Sequence, residues 1–384
     1  MSIQKILSIS IFLLSGCNTL ADLKQIEEEP QPKEFSIADC ELSPGRIVAA
    51  QSLGLSPSRI ALLANSGGAV LSELFQGDQG GRITRIESGP IEDRLSTQPV
   101  QILDLEPLTD ISLSQDSGGF TFSVSSSKLP ANGVDIGFGY LDDTALQEGD
   151  DTNTGFEATA SVGGMNPFRP QDSEEKSRFV WLRSDQILVR GIGISGTGAP
   201  HGGEFTEVNP GDLLYGPGPH VFHWSPDTLT AIDVFDGGTF SGAWNDPKPT
   251  SLVYLGDNRY LMGLYDYGGQ GRVYEVVVGA EGFEIETVIP NVGLELTAFS
   301  IFAGEGFLAV AYVLGKDLTI NFFEYIDKKW RDLNQVTLAE WGGFRAIQGA
   351  VTQDPKNRCG LSLWMAGVDS EGQATHILKT RLGP

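Results

Sequence analysis

The stretch TSLVYLGDNRYLMGLYDYGGQGRVYEVVVGAEGFEIETVI, residues 250–289, decides the fold. Four runs rich in β-branched and aromatic residues are separated by GDN (256–258), DYGGQ (266–270) and GAEG (279–282). Asp, Asn and Gly accept the left-handed or tight conformations that short hairpin turns require. The pattern predicts four antiparallel strands in a meander. Residues 296–338, LTAFSIFAGEGFLAVAYVLGKDLTINFFEYIDKKWRDLNQVTL, divide in the same way. Here the second run, FLAVAYVL, is apolar on both faces, as a strand sandwiched between neighbouring sheets should be. The fourth, RDLNQVTL, is more polar, which suits an outer edge.

Working outward, the same strand–turn–strand unit recurs along the chain. RSDQILVRGIGISG starts at Arg183 and SPDTLTAIDVFDGG at Ser225; weaker copies start at Ser56, Ser114 and Thr352. The seven turns centre near residues 57, 116, 185, 227, 257, 305 and 354, with gaps of 59, 69, 42, 30, 48 and 49. Repeating four-stranded meanders of about 40–50 residues are the signature of β-propeller blades. The expected fold is therefore all-β, a propeller spanning residues 35–384, with seven blades favoured and six or eight also compatible. The gap of 30 suggests a unit without its outer strand, and the long gaps hold insertions, notably LDDTALQEGDDTNTGFE at 141–157. The last unit shows three strands, ending in THILKTRL at 375–382. EFSIADC, residues 34–40, is assigned as its missing fourth strand, closing the ring through the two termini. Glycine, 48 of 384 residues, is nearly twice its usual share, in keeping with a turn-rich β protein.

The first residues read as an address. MSIQK carries one positive charge, Lys5, and the apolar run ILSISIFLL (6–14) is too short to span a bilayer core of about 20 helical residues. Leu14, Ser15, Gly16 and Cys17 follow. That tetrad resembles the lipobox of bacterial lipoproteins, which implies a signal peptide over 1–16 and lipidation of the Cys17 sulfur. Asn18 after the cysteine, by the same resemblance, implies delivery to the outer membrane, with the membrane reached through the lipid. Residues 17–34 are acidic, contain Pro30 and Pro32 and lack a core-forming apolar pattern, which is the composition of a tether.

With Cys17 committed to lipid, Cys40 and Cys359 remain. An even pair in an exported protein points to a disulfide, the alternative being two separate thiols. If Cys40 ends an outer strand and Cys359 starts an inner one, their Cα atoms stand too far apart for a bond, which needs about 4.4–6.8 Å.

Resemblance beyond architecture is slight. SPDT (225–228) looks like the hairpin of propellers related to the Tol-system periplasmic protein, and SQDSGGFTF (114–122) looks like the Asp-box turn of sialidase-type propellers, one residue out of register. No Trp-Asp dipeptide and no Kelch pattern occurs. One lipoprotein of the outer-membrane β-barrel assembly machinery has this general plan, but a shared plan does not transfer function.

A formal charge of −24 argues against nucleic acid as a partner. No G-x-S-x-G, H-E-x-x-H or P-loop is present; SSSK (125–128) matches S-x-x-K without the rest of that pattern. His220 and His223 in HVFH fall on opposite faces of a strand and read as ordinary core or surface histidines, while His201 lies in a Gly-rich loop. Asp150, Asp151 and Asn153 in the acidic insertion supply hard oxygens of the kind calcium uses, although an EF-hand order is missing. Three functions follow: a lipid-anchored scaffold binding protein or glycan through a propeller face, a hydrolase or lyase acting on polysaccharide, and a calcium-dependent adhesin. The first is favoured, without catalytic residues or cofactor.

Overall fold

A computed structural model describes residues 36–382 except 43–46, 55–56, 66–67, 76–79, 89–94, 102–107, 117–118, 127–135, 142–145, 149–159, 166–176, 184–185, 192–200, 203–211, 216–217, 234–237, 266–268, 305, 355 and 372–373. The chain divides into two units, Met1–Phe35 and Ser36–Pro384. The signal peptide, Cys17, the tether, Asp150, Asp151 and Asn153 lie outside the described residues.

Among the described residues the strands form seven four-stranded antiparallel sheets, numbered here in chain order. Sheet 1 holds β2 (Arg59–Asn65), β3 (Gly68–Leu74), β4 (Gly81–Ser88) and β5 (Leu95–Gln101). Sheet 2 holds β6 (Leu108–Asp116), β7 (Gly119–Ser126), β8 (Ile136–Leu141) and β9 (Leu146–Glu148). Sheet 3 holds β10 (Ala160–Met165), β11 (Ser177–Arg183), β12 (Gln186–Gly191) and β13 (His201–Gly202). Sheet 4 holds β14 (Leu213–Tyr215), β15 (His220–Ser225), β16 (Thr228–Asp233) and β17 (Thr239–Ala243). Sheet 5 holds β18 (Pro249–Gly256), β19 (Arg259–Tyr265), β20 (Gly271–Gly279) and β21 (Gly282–Ile289). Sheet 6 holds β22 (Ala298–Gly304), β23 (Phe307–Leu314), β24 (Asp317–Ile326) and β25 (Lys329–Leu338). Sheet 7 holds β26 (Phe344–Asp354), β27 (Asn357–Asp369), β28 (Thr375–Leu382) and, from the other end of the chain, β1 (Ile47–Ser52).

Sheets 5 and 6 coincide with the two meanders read from the sequence. The Asp257–Asn258 and Asp327–Lys328 turns have positive φ at both central residues, the two-residue geometry whose twist matches that of the strands they join. β19 and β23 are buried on both faces, and β21 and β25 are largely exposed.

Four expectations need correction. The hairpin expected near 57 instead joins β2 to β3, whose pairing runs to Asn65↔Gly68, because residues 57–58 precede β2. The turns near 185 and 227 join the second and third strands of their sheets, whereas those near 116, 257, 305 and 354 join the first and second. The gap of 30 is therefore a change of hairpin, and sheet 4 has its fourth strand in β17. Within the supposed 141–157 insertion, Leu141 ends β8 and Leu146–Glu148 forms β9, the fourth strand of sheet 2. Finally, the strand borrowed by the last sheet is β1, paired with β28 from Ile47↔Thr380 to Ser52↔His376, and not residues 34–40. Residues 37–39 form a 3-10 turn instead, where the Ser36 hydroxyl accepts the Ala38 N–H.

That correction also removes the obstacle to the disulfide. Cys40 lies beyond the end of no outer strand; it follows the 3-10 turn and reaches the start of β27, where Cys40 and Cys359 are bonded with Cα atoms 5.4 Å apart.

The core sits between sheets. One cluster joins sheets 5 and 6 through Val253, Leu261, Phe299, Ile301 and Val310, another joins sheets 1 and 7 through Leu62, Leu71, Trp364 and Ile377, and others join 1 to 2 and 4 to 5. Glycines make close approach possible. A Cβ on Gly271 would meet Phe299 Cδ2 at 2.6 Å, and one on Gly263 would meet Phe299 Cε1 at 2.9 Å. The Phe299 ring of sheet 6 thus occupies the space two missing side chains leave on sheet 5. Gly271→Ala is expected to destabilise the fold by about 1–3 kcal/mol through overpacking. Urea unfolding of a double-mutant cycle checks this: in a Phe299→Ala background the cost should largely vanish, and an unchanged cost would place the defect in the backbone instead.

Candidate functional site

Each sheet presents two ends: one where its first strand begins, the entry end, and one where its first strand turns into its second, the exit end. First strands of successive sheets neighbour one another, as do β26 and β2.

Charged groups at the entry end tie sheets together. Arg59, opening β2, donates to both oxygens of Asp110 in β6 at 2.6 and 2.8 Å, and Asp110 is fully buried. Lys248, just before β18, pairs with Asp212, just before β14, and its ammonium lies 5.3 Å from the Trp224 ring centre. Arg345 of β26 donates to the Pro57 carbonyl at 2.9 Å. The Asp110 and Asp212 carboxylates are thus engaged in joining sheets.

The histidines separate as expected of core residues. His220 and His223, both buried in β15, face different surroundings. The His220 ring nitrogen Nδ1 is 3.0 Å from the Tyr260 hydroxyl, which also accepts the His220 backbone N–H at 3.1 Å. Burial lowers the pKa of His223 below 6.5, Asp212 acting against that shift and Lys248 with it. His201 belongs to β13, paired with Ile187, and not to a loop. His376 Nε2 lies 3.6 Å from Asp369, and its ring packs against Phe344. Among the described residues no group of three or more His, Cys, Asp or Glu side chains is placed to hold a metal ion.

The exit end carries a different arrangement, which the sequence reading missed. Arg259, immediately after the 257–258 turn of sheet 5, reaches across to Tyr325 near the 327–328 turn of sheet 6. Its Nη2 donates to the Tyr325 hydroxyl at 3.0 Å, and the guanidinium carbon lies 5.2 Å from the ring centre. Glu275 accepts from Arg259 Nε at 2.7 Å, and that hydrogen bond, foremost among several contacts, holds the guanidinium in its charged form. Trp330, the cross-strand partner of Tyr325, meets its ring at a 49° tilt with centroids 5.2 Å apart, while packing against the core between the sheets. Tyr325 remains 40% exposed, and Lys328 and Lys329 stand exposed beside it. The one sequence signal was aromatic residues flanking a lysine-rich turn, YIDKKW (325–330); Arg259 is 66 positions away and nothing local links it to that turn.

Comparison with solved structures places the chain among β-propellers. The RRP9 WD40 repeats match with a TM-score of 0.54 at 9% identity, over 89% of this chain and all of that one. U3-55K gives 0.52 at 9% identity, over 87% and 99%. The WD40 domain of Toxoplasma gondii coronin gives 0.51 at 9% identity, over 90% and 89%. No family model matches the sequence. No curated protein matches it either. The protein is an all-β propeller with four-stranded blades, and likeness at this identity extends to the fold alone.

A neutral, buried His223 sets the sign of one pH effect. Its native pKa lies below its unfolded value of about 6.5, so the unfolded chain takes up the proton first as pH falls. The associated stability is complete above about pH 6.5 and is lost on acidification toward the lowered native pKa. Urea midpoints measured from pH 7.5 to 5 should fall less steeply for His223→Gln than for the parent. Equal slopes would mean that folding leaves the His223 pKa unshifted, which overturns the assignment.

Proposed function

We propose that the chain is a lipid-anchored, extracytoplasmic binding module whose propeller presents a partner site at its exit end. The observation that carries the reading is Tyr325: an exposed aromatic held by Arg259 and Trp330, two residue types that, with Tyr itself, dominate binding hot spots. Burying a ring already fixed by its neighbours costs little side-chain entropy, so such a group is pre-organised for a partner. A protein partner is favoured, with glycan as the alternative. The anchor rests on Leu14-Ser15-Gly16-Cys17, and outer-membrane placement in the cell envelope rests on Asn18. The finer architecture in this reading is a seven-bladed ring closed by the terminal strands. Seven four-stranded sheets, the β1–β28 ladder and the adjacency of β26 and β2 support it.

Two measurements test the proposal. Cells fed an alkyne palmitate analogue should label the parent protein, whereas Cys17→Ala should lose both the label and membrane fractionation; an unlabelled parent rejects the anchor. Independently, a photo-crosslinking amino acid at position 325 of the full chain in its native membranes should give a discrete protein adduct that Arg259→Ala reduces at least several-fold. The same probe at Leu314, exposed at the opposite end of sheet 6, should not. Adducts from 314 and none from 325 would move the site to the other face, and a carbohydrate adduct at 325 would replace the protein partner with a glycan.

A further inference from the structure

The residues just before β1 are fastened to the body more firmly than β1 itself. Residues 36–42 form a compact strap. Asp39 and Cys40 donate backbone N–H groups to the Ser36 and Ile37 carbonyls, Leu42 donates to Cys40, and Ile37 is 1% exposed. Leu42 is also buried, and its carbonyl accepts from Asn334 Nδ2 of β25 at 2.9 Å. Cys40 is bonded to Cys359 in β27. β27 runs from Asn357 to Asp369 and is hydrogen-bonded on both edges, to β26 and to β28. β1 has six residues, one ladder, to β28, and a register shift near its start.

We infer that the strap transmits force: tension arriving from the N-terminal side of Ser36 enters the body through the Cys40–Cys359 bond into β27 and bypasses β1. Without the bond, tension reaches β1 at its first residue and loads its ladder one hydrogen bond at a time. Bonds loaded one after another resist weakly, so the strand unzips from its end. With the bond, the loaded strand is β27, whose removal breaks two ladders together. β1 then lies inside the covalent loop between Cys40 and Cys359 and carries no tension. The consequence reaches the whole body, because β1 is the strand that completes sheet 7, and its loss uncovers an edge of β28. The physiological use of this device rests on the proposed membrane anchor, since a tether is what would pull at residue 36; the mechanics do not.

Single full-length molecules held in magnetic tweezers, by a handle ahead of Ser36 and another after Pro384, test the inference. Reduced protein should show an early step, as residues 36–52 release about 60 Å of contour, at less than half the force of the next event. Oxidised protein should lack that step and open first by extraction from β27 and β28. The Cys40→Ser, Cys359→Ser double variant should behave as the reduced protein; if it does not fold, adding reductant to a parent molecule already held under low tension gives the same comparison. An early step with the bond intact overturns the inference, as does reduced protein that unfolds without one. Failure of the anchor itself would appear separately, as absence of palmitate on Cys17, and leaves the force result unchanged.

Discussion

Neighbouring sheets are held together by large side chains seated where the facing strand has no Cβ, and most of the remaining structure depends on this fit. Phe299 of sheet 6 lies over Gly263 and Gly271 of sheet 5, Phe302 of sheet 6 over Gly349 of sheet 7, and Phe283 of sheet 5 over Gly242 of sheet 4. Tyr260 of sheet 5 covers Gly218 in the same manner, and Ile111 of sheet 2 covers Gly81 of sheet 1. A glycine inside or beside a strand weakens it by losing conformational freedom and side-chain contacts. The cost is offset because the side chain received in its place makes many dispersion contacts, and Phe299, Phe302, Tyr260 and Ile111 are buried there. The abundance of glycine therefore serves the packing of sheets as well as their turns. The directionality of the fits, with a ring on one sheet and a gap on the next, fixes how each sheet sits against its neighbour.

Buried charge adds a second means of telling one sheet from another. Asp110 is satisfied by Arg59 of the preceding sheet, and Glu73 is satisfied by Arg82 of its own sheet and by the Thr375 hydroxyl of sheet 7, at 2.6 and 2.7 Å. Arg82 also reaches the carbonyls of Leu53 and Gly54, the residues that follow β1. Removing one member of such a pair costs about 3–5 kcal/mol, because the other charge is left buried alone. A mis-stacked sheet would incur the same cost, so these links penalise wrong neighbours more than they strengthen right ones. The junction of sheets 1 and 7 is the place where chain connectivity gives least help, since Thr375 and Glu73 are 302 positions apart. It is also where a buried carboxylate is bonded from both sheets.

How much of this was legible in the sequence depended on how local the deciding interaction is. Residues 250–289 and 296–338 could be divided into strands because alternation and turn chemistry are properties of a few consecutive residues. The type of hairpin was not legible, since SPDT between β15 and β16 and GDN between β18 and β19 have the same turn chemistry yet join different strand pairs. Because these turns fall at different places in their sheets, the spacing of 30 residues suggests a missing strand in sheet 4 and the spacing of 69 an insertion in sheet 2, where β17 and β9 stand as fourth strands. EFSIADC reads as the closing strand, but Ser36 and Asp39 suit a capped turn, and the partner of IVAAQS lies more than 300 residues away on β28. The exit-end cluster was invisible for the same reason. Tyr325 and Trp330 are neighbours in sequence, whereas Arg259, the residue that gives them a charged partner, comes from another sheet.

A propeller without a Trp-Asp dipeptide that superimposes on WD40 domains at 9% identity shows what the architecture asks of a chain. A four-stranded meander needs period-two alternation, turn residues that accept positive φ and a small–large match at each sheet face. Many residue types meet each demand, so the demands constrain pattern and leave identity nearly free. The signature residues of any one propeller family are then one solution among several, and in this chain cross-sheet pairs such as Arg59–Asp110 and Lys248–Asp212 occupy polar positions that still need satisfying. The residues of the proposed partner site answer to a different demand. Arg259 and Tyr325 stand in strands beside two turns, the parts of a fold that best tolerate substitution and insertion, while Trp330 also packs against the core. A search for function in this molecule belongs at those turns, because the blades would look the same whatever the protein bound.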